Sequence, residues 1–369
     1  MTQHTHRVST LLVYLVHADL SASLLADLRA TYERVIVCLG GDEPSLDDLA
    51  QADVILALTI PKRLESIDHV PNLKLFQAVS AGFSHLTDTR FFKELPRASP
   101  LMFANASGIH VSTIGEHSLA TVLMLYHKLH TLTVLGRTER RWVKTSELGG
   151  NFVRELSTLT VGIIGYGHIG RETARLFKAC NSKIVALNRT GAPNLESGYV
   201  LPDTGDRAGT IPDEYYSTAS SSSTRAFLSR CDVVVNTLPD SEATRRFIGR
   251  DEFEAMKGDA VYVNIGRGTT TDQDALIEAL QAEPATGEAV DATGTLRIGG
   301  ASLDVTEPEP LPDGHVLFTL PNVVLTPHMS GSSKLYFERA CDLLRVNVDR
   351  VRQGKGVLNA FRGKGENDD

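Results

Sequence analysis

Short apolar runs alternate with amphipathic stretches along the first third of the chain. The apolar runs are typical of buried strands, and they are predicted at residues 9–16, 34–40, 52–60 and 73–82. The stretch at residues 18–33 predicts an amphipathic helix. A longer helix is predicted at residues 114–130, where Thr113 and Glu116 have the spacing of a capping box. This alternation predicts an α/β domain with a mostly parallel sheet.

A second alternation begins at residue 159, after a more polar stretch at residues 131–158 where a domain crossing is predicted. Its strands are predicted within residues 159–167, 182–190, 231–239, 259–268, 300–305 and 322–328, and its helices at residues 169–180 and 333–353. Two long polar segments, residues 190–223 and 283–299, are rich in glycine, proline and serine. We expect both to be surface loops.

Composition and charge narrow the functional class. The 369 residues are 42% apolar and 22% charged, which is typical of a globular protein with a large core. A formal net charge of −8 argues against binding to nucleic acid or an anionic membrane through bulk electrostatics. No apolar run reaches the roughly 18 residues of a membrane helix, and no signal-peptide cleavage site follows the start. The four cysteines form no C-x-x-C pair, so we expect reduced thiols, a cytoplasmic location and no metal site.

A glycine-rich turn joins the first strand of the second alternation to the following helix. It matches the pattern G-x-G-x-x-G with Gly165, Tyr166, Gly167, His168, Ile169 and Gly170. The pattern alone is weak, but a strand before it and a helix after it are the context of a dinucleotide site. The glycines permit a tight turn and close approach to a pyrophosphate, and the helix N-terminus offers free N–H groups.

The next strand ends in Asn188, Arg189 and Thr190. An NAD-selective site places a carboxylate near this position, on the adenosine ribose. A neutral, a cationic and a hydroxyl side chain suit the 2′-phosphate of NADP instead. The sequence therefore predicts NADP as the preferred cofactor, with NAD as the alternative if Asn188 only binds the ribose.

Three charged residues follow later strands of the same alternation: Arg267, Glu309 and His328. Ligands of open α/β sheets bind beyond the carboxyl ends of the strands, so these side chains can converge. An arginine can grip a substrate carboxylate, and a protonated imidazole can give a proton to a carbonyl oxygen. A neighbouring carboxylate favours the charged imidazole and fixes its orientation. Taken singly, each residue is more readily explained as an exposed or structural side chain than as a catalytic one.

These motifs lie within longer segments that resemble the D-isomer-specific 2-hydroxyacid dehydrogenase family. The resemblance spans about residues 50–345 and rests on LTVGIIGYGHIGRETARLFKAC, VVVNTLPDSEATRRFIG, AVYVNIGRGTTTDQDALIEAL, GASLDVTEPEPLP and LPNVVLTPHMSGSS. It implies an α/β fold with two doubly wound parallel-sheet domains. A Rossmann cofactor domain at residues 129–329 would be inserted in a flavodoxin-like substrate domain at residues 1–128 and 330–369.

The resemblance also implies residue roles, carried over by position. Arg267 in N-x-G-R-G, Glu309 in D-V-T-E-P-E-P and His328 in T-P-H match the catalytic residues, with Arg267 and His328 also on the substrate and the cofactor. Asp304 matches the partner of the nicotinamide carboxamide. Further matches toward the cofactor are Leu238, Pro239, Thr244, Ile265, Gly266, Ser330, Gly331 and Thr113. Matches toward the substrate are Ala81, Gly82, Asn105 and Gly108.

The resemblance implies NADPH-preferring reduction of a 2-oxo acid to a D-2-hydroxy acid by a homodimer that uses the helix at residues 114–130 and the Trp142 region. Glyoxylate, hydroxypyruvate and larger 2-oxo acids all remain open as substrates. Two alternatives remain: a dinucleotide-sensing binding protein similar to the C-terminal-binding co-repressors, and an NADH-dependent dehydrogenase of the same family. The sequence departs from the usual Pro-Leu-Thr at Pro239-Asp240-Ser241, while Glu309 argues against the formate dehydrogenase branch.

Overall fold

The computed structural model describes residues 8–16, 20–96, 99–148, 152–282 and 293–361. The chain divides into two compact units, Met1–Ile109 with Lys334–Asp369, and His110–Ser333. This division differs from the predicted boundaries at 128/129 and 329/330. The helix that begins at Val111 belongs to the second unit, where its Tyr126 hydroxyl donates to the backbone oxygen of Asp232 at 2.8 Å. Its amphipathic pattern could not show which sheet it packs against.

The first unit contains a five-stranded parallel sheet in the order β2-β1-β3-β4-β5. This is the flavodoxin-like strand order. The strands are β1 (Thr10–Leu15), β2 (Arg34–Leu39), β3 (Val54–Ala57), β4 (Leu75–Ala78) and β5 (Met102–Ala104). Of these, β5 is absent from the sequence-based prediction, since three residues carry too short a pattern.

The second unit contains a seven-stranded parallel sheet in the order β12-β11-β10-β9-β6-β7-β8. The strand order reverses between β6 and β9, as in the Rossmann fold. The strands are β6 (Thr160–Ile164), β7 (Lys183–Asn188), β8 (Glu214–Ser217), β9 (Val233–Asn236), β10 (Val261–Asn264), β11 (Gly300–Leu303) and β12 (Val323–Leu325). The two sheets confirm the predicted fold class.

Helices connect the parallel strands. They are α1 (Ala22–Thr31), α2 (Leu46–Gln51), α3 (Ser84–Thr87), α4 (Arg90–Lys93), α5 (Val111–Tyr126), α6 (Leu129–Glu139), α7 (His168–Ala179), α8 (Ser221–Leu228), α9 (Arg250–Ala255), α10 (Gln273–Gln281) and α11 (Tyr336–Arg352). Single 3₁₀ turns lie at Ile67–His69, Thr145–Leu148, Leu156–Thr158, Gly268–Thr270 and Val316–Phe318. Strands β6, β9 and β10 are buried on both faces, as parallel sheets covered by helices require.

Two local predictions are wrong. Helix α5 begins at Val111, so Thr113 is not its N-cap, and the Thr113 hydroxyl donates instead to the backbone oxygen of His110 at 3.1 Å. The predicted helix at residues 114–130 also ends at Tyr126, and α6 starts a new helix at Leu129.

The structure describes one of the two predicted surface loops in full and the other only in part. The segment 190–223 is not all loop, because it contains β8 at the sheet edge and the start of α8. In the second segment, residues 283–292 lie outside the described residues.

The described residues also bear on the predictions about membrane-spanning helices, metal sites and disulfides. None of the described helices is both long and apolar enough to cross a membrane. Over the same residues, no group of three His, Cys, Asp or Glu side chains is arranged to hold a metal ion. Cys38, Cys180, Cys231 and Cys341 are free thiols, as predicted.

Candidate active site

The glycine-rich turn after β6 has the backbone that a dinucleotide cradle requires. Gly165 has φ +85°, a conformation that favours glycine. A Cβ on Gly170 would lie 2.3 Å from the backbone oxygen of Gly165, so only glycine lets the helix start this close to the strand. A Cβ on Gly167 would meet no other described atom within 4 Å. This open side lies at the N-terminus of α7, so the turn fits a bound pyrophosphate.

Tyr166 lies inside this turn, but its side chain points into the protein. It is buried, and its hydroxyl donates to Oδ2 of Asp206 at 2.8 Å. The buried guanidinium of Arg171 lies over its ring, 4.9 Å from the centroid, and donates to the backbone oxygen of Asp206. Any contact between Tyr166 and a cofactor would therefore come from its backbone.

The end of β7 carries the three residues predicted to select the cofactor. Asn188 closes a turn, because its Oδ1 accepts from the Gly191 amide at 2.7 Å and its Nδ2 donates to the Ala192 oxygen at 2.8 Å. Arg189 and Thr190 lie in this turn and are exposed. The side chain of Asn188 thus holds the turn that presents its two neighbours. His168, at the start of α7, contacts the backbone oxygen of Ser197 at 2.6 Å.

The loops after neighbouring strands contact each other in the order of the sheet. Between the loop after β9 and the loop after β6, the hydroxyl of Thr237 donates to the backbone oxygen of Gly165 at 2.6 Å. After β9 and β10, a Cβ on Gly266 would lie 2.4 Å from the Leu238 oxygen. After β10 and β11, a Cβ on Gly268 would lie 2.0 Å from the Thr306 oxygen. Glycine at these positions lets backbone pack directly on backbone, which fixes the loops relative to one another.

Two buried asparagines shape these loops, and the sequence-based prediction missed both. Asn236 ends β9, and its Oδ1 accepts from the Leu238 amide at 3.1 Å. Asn264 ends β10, where its Oδ1 accepts from the Gly266 amide at 3.1 Å and its Nδ2 donates to the Arg267 oxygen at 3.1 Å. A signal was available, because each asparagine closes an otherwise apolar strand, VVVN and VYVN.

The three predicted catalytic residues follow three adjacent strands, β10, β11 and β12. His328 and Glu309 are in contact, with Nδ1 of the imidazole 2.6 Å from Oε1 of the carboxylate. Both side chains are partly exposed, at 45% and 40%. Arg267 donates from Nη1 to the Gly266 oxygen at 2.7 Å. A guanidinium carries five N–H donors, so this bond leaves others for a ligand.

Asp304 is buried, and its backbone oxygen accepts from the His328 amide at 2.9 Å. Burial alone would raise the pKa of its carboxyl group, but hydrogen bonds from Ser330, Thr326 and Met329 outweigh this effect and lower the pKa. Asp304 is therefore a carboxylate near neutral pH. Its carboxylate accepts the Ser330 amide at 3.0 Å, so this amide is engaged inside the loop.

The remaining predicted site residues belong to both units and, apart from Thr113, lie in loops. In the second unit, Leu238, Pro239 and Thr244 follow β9, Ile265 follows β10, Gly331 follows β12, and Thr113 lies in the first turn of α5. The Thr244 hydroxyl donates to the Pro239 oxygen at 2.6 Å, which closes that turn. In the first unit, Ala81 and Gly82 follow β4, and Asn105 and Gly108 follow β5.

Comparisons with known proteins agree with this architecture. The family model described as "D-isomer specific 2-hydroxyacid dehydrogenase, NAD binding domain" matches residues 119–330. The chain is 27% identical over 319 residues to a glycerate dehydrogenase of Methylorubrum extorquens, covering 85% of this chain and 87% of the relative. It is 26% identical over 316 residues to a glyoxylate reductase of Thermofilum pendens, covering 85% and 82%.

A solved structure of a D-isomer specific 2-hydroxyacid dehydrogenase family protein from Aeromonas salmonicida superimposes with a TM-score of 0.72 at 25% identity, covering 96% of this chain and 99% of that chain. The resemblance predicted from the sequence is thereby confirmed. Because the family model spans more than half of the chain, the protein belongs to the D-isomer specific 2-hydroxyacid dehydrogenase family, whose members are oxidoreductases that use a nicotinamide dinucleotide.

Proposed function

We propose that the protein is an NADPH-preferring reductase that converts a 2-oxo acid to a D-2-hydroxy acid. The observation that carries the reaction is the contact between His328 and Glu309, in the same unit as a cradle that fits a dinucleotide. The relatives named glycerate dehydrogenase and glyoxylate reductase support this substrate class. We also propose that the protein acts in the cytoplasm, consistent with its free cysteines.

The residues have complementary tasks in this reaction. Arg267 binds the substrate carboxylate through paired N–H donors, which orients the neighbouring carbonyl group. The dinucleotide, when bound, supplies the hydride that adds to the carbonyl carbon. His328 gives its proton to the carbonyl oxygen, which becomes the hydroxyl group of the product. Glu309 contacts the imidazole at Nδ1 and so orients the ring, which places the proton for transfer at Nε2. The amides of Ala81 and Gly82, in the loop after β4, are proposed to take part in substrate binding.

The preference for NADPH is supported by the end of β7. Asn188 holds a turn that exposes Arg189 and Thr190, and these three positions carry no carboxylate. A carboxylate would repel the 2′-phosphate of NADP, whereas a guanidinium binds phosphate through charge-assisted hydrogen bonds.

The first test measures the oxidation of NADPH and of NADH by the purified protein with glyoxylate, hydroxypyruvate, and branched and aromatic 2-oxo acids. Turnover mainly with NADPH is expected, and the best acid then defines the substrate class. Turnover with NADH alone would keep the reaction and reject the cofactor preference. Tight cofactor binding without turnover of any acid would instead favour a dinucleotide-sensing binding protein.

A variant sharpens the test of cofactor preference. Arg189→Ala should raise KM for NADPH about tenfold and leave kcat/KM for NADH within about twofold, because only NADP carries the 2′-phosphate. Arg29→Ala removes an equal charge from the exposed face of α1 and is the matched control. Equal losses with both cofactors would show that Arg189 only maintains the fold of the turn.

We propose a homodimer formed through the second unit. Helix α6 has no buried residue, and Val134 on it is exposed. Trp142 and Phe152, in the segments that follow, are 93% and 92% exposed. Large exposed apolar side chains of this kind mark interaction surfaces. Light scattering should give the mass of a dimer for the wild type and of a monomer for Trp142→Asp. A monomeric wild type would reject the proposal.

A further inference from the structure

The backbone at His328 has an uncommon conformation. His328 has φ +50°, in the left-handed region that only a few per cent of non-glycine residues occupy, histidine more often than most. Its amide donates to the backbone oxygens of Asp304 at 2.9 Å and Thr326 at 3.1 Å. Such a conformation persists only where surrounding contacts enforce it. The loop Thr326–Ser330 therefore needs an internal anchor.

The carboxylate of Asp304 provides the centre of that anchor. Its Oδ1 accepts from the Thr326 hydroxyl at 2.7 Å and from the Met329 amide at 2.9 Å. Its Oδ2 accepts from the Ser330 amide at 3.0 Å. These bonds bind residues on both sides of His328 to one buried carboxylate. The orientation of the imidazole therefore depends on where Asp304 and Thr326 are held.

A third side chain reaches this group from helix α5. Nε2 of His117 lies 3.3 Å from the hydroxyl oxygen of Thr326. The Thr326 hydroxyl gives its only proton to Asp304, so it must accept from His117. Nε2 of His117 therefore carries the proton. Burial lowers the pKa of His117, against the smaller opposing effect of the Asp304 charge, so the ring is neutral at neutral pH.

We propose that His117 is a positioning residue for His328, acting through Thr326 and Asp304. This inference rests on the function proposed above and extends it to a residue that does not touch the reacting atoms. The hydrogen bond from His117 orients the Thr326 hydroxyl toward Asp304, and Asp304 in turn holds the loop that carries His328. Without His117, the hydroxyl loses the donor that directs it, and the loop loses this hydrogen bond to α5.

The inference predicts that kcat and cofactor affinity respond differently to substitution. His117→Leu should lower kcat about tenfold while the Kd for NADPH, measured by fluorescence, changes less than about twofold, because small displacements of a catalytic group slow catalysis strongly. His117→Gln restores an N–H donor of similar reach and should recover kcat to within about threefold. Unchanged kcat in His117→Leu, or an equal loss in His117→Gln, would overturn the inference.

A matched control separates positioning from a general weakening of α5. Ser118→Ala removes a buried hydrogen bond on the same helix, from the Ser118 hydroxyl to the Ile114 oxygen at 2.9 Å. It should lower stability and leave kcat unchanged. A loss of kcat equal to that of His117→Leu would assign the effect to the helix as a whole and overturn the inference.

A double-mutant cycle tests whether the two side chains act along one path. Thr326→Val removes the hydroxyl with little change in shape, whereas Thr326→Ser keeps it. The double variant His117→Leu with Thr326→Val should lose no more kcat than Thr326→Val alone. Additive losses would overturn the inference. If His117→Leu does not fold, the Thr326 pair carries the test, and equal kcat for the valine and serine variants would overturn it.

A spectroscopic measurement tests this inference independently of the proposed reaction, because it does not require turnover. In protein labelled with ¹³C-histidine, the resonance of the His328 ring is assigned by its loss in His328→Asn. That resonance should move in both His117→Leu and Thr326→Val and stay in place in Ser118→Ala. An unmoved resonance overturns the positioning of His328 by His117. Absence of turnover in the wild type would instead overturn the proposed function.

Discussion

Two sets of loops that follow strands of the seven-stranded sheet are held in place by different kinds of contact. The reaction loops, residues 265–271, 304–309 and 326–331, are held by close backbone packing at Gly266 and Gly268 and by hydrogen bonds to buried Asn and Asp side chains. The β7 segment, residues 188–213, is bound mainly by side-chain hydrogen bonds, among them those of a buried cluster of Tyr166, Arg171 and Asp206. Its first residues, around Arg189, lie at the surface.

This difference distinguishes positions where a substitution would disturb the backbone from positions where a substitution is tolerated. At Gly266 and Gly268 in the reaction loops, an added methyl group would meet backbone, which cannot rotate away. At the start of the β7 segment, a substituted side chain meets solvent. Catalytic geometry is therefore tied to the fold, while cofactor preference can change with little effect on it. Three predictions test this contrast, ordered by the size of the expected effect.

The largest effect is expected at His328. His328→Asn should lower kcat about 10³-fold, because it removes the proton donor. Asparagine adopts positive φ more readily than most residues, so the loop should keep its conformation. His315→Asn is the control, since His315 caps the turn Val316–Phe318 and asparagine can do the same. Steady-state kinetics checks both, and a His328 variant within about tenfold of wild type would remove this residue from catalysis.

A smaller effect, on stability, is expected at Gly268. A methyl group there would lie 2.0 Å from the Thr306 oxygen, so Gly268→Ala should lower the free energy of unfolding by about 3 kcal/mol. Gly356→Ala adds the same group where it meets no described atom within 4 Å, and should change stability by less than about 0.5 kcal/mol. Urea unfolding measures both. Equal stability of the two variants would show that the reaction loops are not rigidly packed.

The smallest effect is expected in the cluster that binds the β7 segment. Tyr166→Phe removes a hydrogen bond to the charged Asp206 and should cost about 2 kcal/mol of unfolding free energy at pH 7. Tyr215→Phe removes a hydrogen bond to the neutral Gly209 oxygen, at 2.8 Å, and should cost about 1 kcal/mol.

The two tyrosine variants should also differ in their dependence on pH. Burial alone would raise the pKa of Asp206, but hydrogen bonds from Ile211, Thr210 and Tyr166 and the charge of Arg171 together lower it below 3.8. The stabilisation by Asp206 is therefore complete above pH 3.8 and is lost as the pH falls through its lower folded-state pKa. The cost of Tyr166→Phe should shrink over that range, and the cost of Tyr215→Phe should not. Parallel pH profiles would contradict a charged acceptor.

The sequence predicted most of the regular structure because its signals are local. Apolar runs such as VVVN and VYVN predict buried strands, and the glycine-rich turn is identified by the strand before it and the helix after it. The edge strands β5 and β8 are absent from the sequence-based prediction, since one is three residues long and the other lies in a polar segment. The predicted start of α5 is wrong because the capping-box pattern is common, and Thr113 bonds inside the helix instead.

The amino-acid sequence by itself determined the family, the fold class and the residues that follow β10, β11 and β12, since these depend on motifs and on the order of strands. Only the tertiary structure decided that Tyr166 points inward, that Asn188 holds a turn, and that His117 reaches Thr326 from a helix more than two hundred residues away in the chain. The physical reason is that side-chain contacts between distant elements depend on how those elements pack, and packing leaves no periodic signal in the sequence.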